Sequence, residues 1–221
     1  MSTAHKPWLH RLPRIRPTLL LLALLAAAGS AQAADEAASH ADPQAVSQDL
    51  ARRVCVACHG PGGHASSPLF PHLAGQPAAY LAGELRAFRS HQRDDREARD
   101  YMWGIARMLD DRTIDALAEY YAQQSPGSAA ALSASQLSAG EQLFARGDPQ
   151  RGIPACVSCH GDHGEGRDSF PRIAGQQDSY VRHQLREMRV GDRPAPVMKN
   201  VLAGMDDAEI DAVASFLAAQ R

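Results

Sequence analysis

The sequence predicts an all-α protein in which one small helical unit of roughly 90 residues is used twice. Three observations predict it. The first is repetition. Phe70-Pro71 returns as Phe170-Pro171, and Ala74-Gly75-Gln76 returns as Ala174-Gly175-Gln176. Tyr80, Leu85, Arg86 and Arg89 return as Tyr180, Leu185, Arg186 and Arg189, and Asp110-Asp111 with Ile114 returns as Asp206-Asp207 with Ile210. The second is periodicity: Leu81, Leu85 and Phe88, like Val181, Leu185 and Met188, fall at the spacing of one helix face. The third is that no useful length alternates apolar and polar residues as a strand does.

Taken in order, the chain opens with Lys6, Arg11, Arg14 and Arg16, an apolar run over 19–28, and the small-residue string Ala31-Gln32-Ala33. This is the pattern of a secretory signal peptide, assigned here to residues 1–33. The apolar run is shorter than the about 20 residues that span a bilayer, so a cleaved leader is expected rather than a retained anchor. The first unit, residues 34–124, is expected to place helices at about 43–54, 78–89 and 111–124. Small and helix-breaking residues make 125–134 a linker. The second unit, 135–221, repeats the helices at about 135–145, 178–189 and 206–220. Aspartates before the last helix of each unit are N-terminal signals.

The whole chain of 221 residues carries a formal net charge of −2. Without the four basic residues of 1–33, 19 Lys+Arg face 25 Asp+Glu, a net of −6. Such a body does not suit nucleic acid, which is bound by neutralising phosphates. It suits partners with a basic docking face.

Two strings carry the chemistry: Cys55-Val56-Ala57-Cys58-His59 and Cys156-Val157-Ser158-Cys159-His160. C-x-x-C-H is the attachment signature of a c-type haem. Two thiols on one turn can add to the two vinyl groups on one porphyrin edge, and the next His can turn onto the iron from the same side. The strings use all four cysteines of the chain. A zinc ribbon would bring its C-x-x-C pairs within about 15–20 residues of each other, and a thioredoxin-type dithiol would sit near a βαβ pattern. Neither context is present, and plain disulfides give no reason for the histidines. The expected cofactors are therefore two covalently bound haem c groups. Export agrees with this, since bacteria attach haem c outside the inner membrane.

The ligand on the other face of each iron decides between electron transfer and substrate binding. Aligning the last helices on their aspartates brings Met102 and Met198 to one position, eight residues before Asp110 and Asp206. Met108, Met188 and Met205 have no methionine opposite them, and Met108 and Met205 are expected to pack in the core. Thioether sulfur is a standard axial ligand, so Met102 and Met198 are the expected partners of His59 and His160, each in a loop before the last helix. His64, His72, His91, His163 and His183 lack a matched counterpart and are expected at the surface or in loops.

The two C-x-x-C-H strings, with Phe70-Pro71-His72-Leu73-Ala74-Gly75-Gln76…Tyr80 and Phe170-Pro171-Arg172-Ile173-Ala174-Gly175-Gln176…Tyr180, resemble the dihaem cytochromes c, and in particular the cytochrome c4 group. The resemblance covers nearly all of 34–221. It implies a tandem pair of class I cytochrome c domains with His/Met iron and haem edges close together. It also implies that the Pro71 and Pro171 carbonyls accept the N–H of each proximal histidine. The sequence departs from the group in a charged run over 91–100 with no equal in the second half, and in Lys199-Asn200 after the second methionine.

The function expected is that of a periplasmic carrier moving single electrons by outer-sphere transfer, and not of an enzyme. By the resemblance, a respiratory complex or dehydrogenase is the donor and a terminal oxidase or other acceptor the recipient. Any membrane association is expected to be peripheral, through those partners. The competing readings are a dihaem enzyme of the peroxidase or thiosulfate dehydrogenase type, and a cytochrome subunit docked to a dehydrogenase or oxidase.

Overall fold

In the first half, α1 (Pro43–Leu50) passes through a π-helical turn (Ala51–Cys55) into α2 (Val56–His59). The computed structural model describes residues 42–127 and 134–221, so the predicted leader and most of the predicted linker lie outside the described residues. Gly60, at φ +70°, ends this run in a conformation that favours glycine. Then follow α3 (Ala78–Arg89), a second π turn (Ala98–Met102) leading into α4 (Trp103–Ala106), and α5 (Asp111–Ala122). The second half holds α6 (Ala134–Arg146), α7 (Val157–His160), α8 (Asp178–Val190), α9 (Pro196–Leu202) and α10 (Asp207–Ala218). Among the described residues there is no strand, only two isolated bridges.

The long helices fall where periodicity puts them, and two differences have local causes. In the second half the C-x-x-C-H string does not follow its helix directly. Asp148 caps a 3₁₀ turn (Pro149–Arg151) and pairs with Ile153, which inserts a small lobe between α6 and α7. The segments carrying Met102 and Met198 are helical rather than loops. Pro196 starts α9 with its fixed φ, and Asp95 Oδ1 accepts the Ala98 N–H at 3.2 Å where the π turn begins.

The last helix of each half is the centre of its core. Ile114 and Ile210 are fully buried, and around them lie Leu81, Leu117 and Tyr121 in one half and Phe144, Val213 and Leu217 in the other. Asp110 caps α5 through the Thr113 N–H at 2.7 Å, while Asp206 and Glu209 form a reciprocal capping box on α10. A Cβ on Gly140 of α6 would come within 2.2 Å of Ala212 O, so α6 and α10 meet backbone to backbone. The repeated arginines staple the middle helix to the last one. Arg89 Nη1 donates to Leu109 O and Arg189 Nη1 to Met205 O, both at 2.9 Å, and each guanidinium also pairs with the aspartate opening the last helix.

The two halves pack as one unit over 43–221. A buried polar network joins them. Glu84 accepts from Arg93 of its own half, and from Arg193 of the other half at 3.1 Å. Gln184 Oε1 accepts from Arg93 Nη2 at 3.1 Å and Arg193 Nη1 at 2.6 Å, and Asp95 holds Arg93 Nε at 2.9 Å. Thus Arg93, inside the run read as having no equal, does have one in Arg193, at the 100-residue offset of the repeat. Burial pushes the Glu84 and Asp95 carboxyls up, but the guanidiniums overcome it and hold both below the usual carboxylate range. No helix among the described residues is long and apolar enough to cross a membrane.

Removing Glu84 would leave two buried guanidiniums short of an anion. Glu84→Gln should therefore cost about 3 kcal/mol, read as a lowered denaturant midpoint. Both carboxyls titrate lower folded than unfolded. Their stabilisation is complete above the unfolded value of about 4 and disappears as pH falls through the folded values. Stability should drop on acidification below about pH 4, and less steeply in the variant.

Candidate functional site

A continuous apolar cavity of ≈ 510 Å³ runs through both halves. Leu81, Leu85, Phe88 and Leu117 line it in the first half, and Val181, Leu185, Met205 and Val213 in the second. Of the residues singled out by the sequence, Cys55, His59 and Met102 border it in one half, and Cys156, Cys159, His160 and Met198 in the other. Cys58 is half-buried one turn beyond Cys55 and is not among the lining residues. Met102 packs on Phe88, Ala98 and Ala106, and Met198 on the second core.

Local backbone geometry sets these positions. The two π turns of the first half end on predicted haem-binding residues, Cys55 for attachment and Met102 for ligation. Widened turns of this kind are frequent at functional sites. The two histidines end α2 and α7 and are each 8% exposed. His59 Nδ1 lies 3.0 Å from Pro71 O and His160 Nδ1 lies 2.9 Å from Pro171 O. A carbonyl can only accept, so each Nδ1 carries the proton and each Nε2 keeps a lone pair. Burial lowers both imidazole pKa values, against the opposing effect of the proline carbonyls, which keeps the rings neutral. A neutral ring with its Nε2 lone pair on an apolar cavity is suited to bind a metal.

The loops that present the prolines share the bonds that anchor them. Gly63 O accepts from Leu73 N and Ala74 N, and Gly164 O from Ile173 N and Ala174 N. Gly75 N donates to Tyr121 O and Gly175 N to Leu217 O, both at 2.9 Å, which ties each loop to the end of the last helix.

All four cysteines are free. Burial pushes the Cys156 thiol up to about 11; it also raises Cys55, offset in part by the neighbouring Tyr121 hydroxyl. Redox dithiols need the opposite shift, toward a thiolate at neutral pH. Paired free thiols, a neutral imidazole and a methionine on one dry cavity, present twice, fit a covalently held haem in each half.

The other expectations divide. Met205 is buried in the second core, but Met108 is 79% exposed and not a core residue: it follows the short α4, at the turn before Asp110. His64, His91 and His163 are exposed, and His72 lies in a loop. His183 is neither loop nor free surface. It sits within α8, where its Nε2 comes within 3.3 Å of Glu97 Oε1 from the other half. Sequence reasoning missed the part played by Arg93 and Arg193, although their 100-residue offset was a usable signal.

A family model described as Cytochrome c matches residues 45–125 and again 137–220. Cytochrome c-552 of Acidithiobacillus ferridurans is 37% identical over 204 residues, covering 91% of this chain and 86% of that one. The thiosulfate dehydrogenase electron acceptor of Thiomonas intermedia is 39% identical over 173 residues, covering 75% and 78%. The crystal structure of reduced cytochrome c4 from Pseudomonas stutzeri superposes with a TM-score of 0.73 at 30% identity, covering 81% of this chain and 99% of that one.

Gly166 tests the second proline loop. Its N–H donates to His160 O at 2.8 Å, its φ is +77°, and a Cβ there would stand 2.3 Å from Arg172 N and 2.6 Å from Pro171 C. Gly166→Ala should cost about 1–3 kcal/mol in a denaturant titration. It should disturb the NMR signals of His160 and leave those of His59 in place.

Proposed function

The chain belongs to the cytochrome c family, as a dihaem cytochrome of the c4 group, and from that premise we propose that it is a periplasmic carrier that passes electrons singly between redox proteins. Each haem, when bound, supplies a one-electron Fe(II)/Fe(III) couple. Cys55 and Cys58 would hold the first by thioether bonds, and Cys156 and Cys159 the second. His59 with Met102, and His160 with Met198, would be the axial ligands. The observation that carries the assignment is the duplicated geometry: Nδ1 protonated against a proline carbonyl, Nε2 bare, and a methionine on the same cavity.

The rest of the work falls to the chain. The apolar part of the lining would exclude water and give a bound haem a low-dielectric site that the protein sets. The proline carbonyls fix each imidazole and make it a stronger donor, which favours the ferric state. With His59 and Met102, and His160 and Met198, each holding one haem, both residue pairs would be committed to binding the group, which would then supply electron transfer without a bound substrate.

The partner is proposed to be a dehydrogenase on the donor side and an oxidase or comparable acceptor beyond it. The relative named as a thiosulfate dehydrogenase electron acceptor supports a dehydrogenase as the donor. In that arrangement oxidation takes place on the partner, and this chain takes the electrons without being the enzyme.

Carbon monoxide distinguishes closed iron from open iron. Reduced parent protein should bind none, Met102→Ala and Met198→Ala one equivalent each, and the double variant two, read from the visible spectrum. Stoichiometric binding by the parent would move the protein to the enzyme reading.

A further inference from the structure

Two glutamines have no part in the electron-transfer chemistry proposed above, yet each is buried and bonded to the opposite half. Gln76 Nε2 donates to Arg172 O at 2.6 Å, and Arg172 N donates to Gln76 Oε1 at 3.0 Å. In mirror image, Gln176 Nε2 donates to His72 O at 3.0 Å and His72 N donates to Gln176 Oε1 at 2.9 Å. The amides are 6% and 7% exposed. Each therefore reads one residue of the other half by both its N–H and its C=O, and water cannot readily replace it.

The receiving residues give these bonds a consequence. His72 follows Pro71 and Arg172 follows Pro171. The Pro71 carbonyl and the His72 N–H belong to one peptide unit, which is planar and conjugated. On one edge that unit accepts from His59 Nδ1, and on the other it donates to Gln176. The peptide joining Pro171 to Arg172 does the same between His160 and Gln76. Hydrogen bonds in series polarise one another, so an acceptor on the N–H makes the carbonyl a better acceptor for the imidazole proton. The same bond holds the peptide plane, and with it the ring, in orientation.

We propose that Gln76 and Gln176 are crossed positioning residues: Gln176 sets the hydrogen bond of His59 and thereby the potential of the first haem, and Gln76 does so for His160 and the second. This rests on the assignment of His59 and His160 as iron ligands. The two paths are unequal. Gln177 adds donors to Phe70 O at 2.8 Å and Ser67 O at 3.0 Å, and the matched residue in the first half is Pro77, whose ring offers none. The first proline loop is thus clamped by two glutamines and the second by one.

The test uses the reduced holoprotein with Gln176→Met and Gln76→Met, which keep the volume and remove the amide. The first readout is the pair of imidazole Nδ1–H resonances. Gln176→Met should move the His59 signal in the direction of a weaker hydrogen bond and leave His160 unmoved, and Gln76→Met should do the reverse. The second readout is the pair of reduction potentials, with the first haem marked by Met102→His, which lowers its potential. A weaker bond makes the imidazole a poorer donor, so Gln176→Met should raise the Fe(II)/Fe(III) ratio of the marked haem about threefold at fixed potential, a modest share of the 10–100-fold effects seen when a ligand's direct partner is lost.

Shifts confined to the glutamine's own half, equal shifts in both halves, or none would overturn the proposal. Crossed resonances without crossed potentials would overturn its tuning part. If Met102→His lowers neither potential, the axial assignment fails, and the Nδ1 pattern still decides the clamp. Should Gln176→Met fail to assemble, Gln176→Asn, one carbon short of His72, is read in the same way.

Discussion

Neither half of this protein fills its own interior. A unit of about 90 residues buries little apolar surface for its length, and here the helices of each half pack on a small core around the last helix and also border a cavity. Leucine, valine and phenylalanine wall much of that space; the imidazoles of His59 and His160 that border it are committed to proline carbonyls, and Arg93, Arg193, Glu84 and Gln184 on its border are bonded to one another. A flat apolar ring fixed by covalent bonds completes such an interior in a way that loosely bound water cannot. In the proposed assignment the cysteines would supply the bonds, and the positions of α2 and α7, the proline loops and the methionine helices would then all answer one requirement, a dry slot for a haem in each half.

Duplication settles how the halves meet. When a unit packs against its own copy about an approximate two-fold axis, every contact occurs twice with the roles exchanged. Gln76 with Arg172 and His72 with Gln176 are one such pair. Arg93 with Gln184 and Arg193 with Glu84 are another. The second pair breaks the symmetry, with a carboxylate at 84 and an amide at 184. Two carboxylates there, beside Asp95, would crowd three anions around two guanidiniums. The amide keeps the hydrogen-bond geometry and leaves two cations facing two anions. Removing one partner from so dry a network costs far more than building it gains, which is why the network specifies the packing more than it stabilises the fold.

Much of this was legible in the chain. The repeat, the six long helices, the aspartate caps and the ligand candidates came from spacing alone, because helical periodicity and C-x-x-C-H chemistry are local. The misplacements were also local in cause. Nothing in the residues around Cys55 or Met102 marks a π turn, since widening one turn changes no side chain. The helical setting of Met198 was signalled by Pro196, a residue equally at home in a loop. Met108 read as core by its type and is exposed by its position in a turn. Arg93 was hidden by company: exposed charges such as Asp94 and Arg96 flank it and its buried partner Asp95, and its offset from Arg193 is what separates it from them.

The glutamine clamps show a deeper limit. At the receiving end the chain reads His72 in one half and Arg172 in the other, which looks like a broken repeat. The bonds use only the backbone N–H and C=O of those residues, so their side chains are free to differ without altering the contact. Pattern matching weighs side chains and therefore discards the positions where the backbone is the ligand. What stays constant is the donor of the interaction, the glutamine of Ala-Gly-Gln, and the proline that precedes its target. A peptide unit placed between those two groups transmits force and polarity whatever residue it belongs to. The part of the structure that links the two redox centres is therefore the part that the one-letter sequence records least.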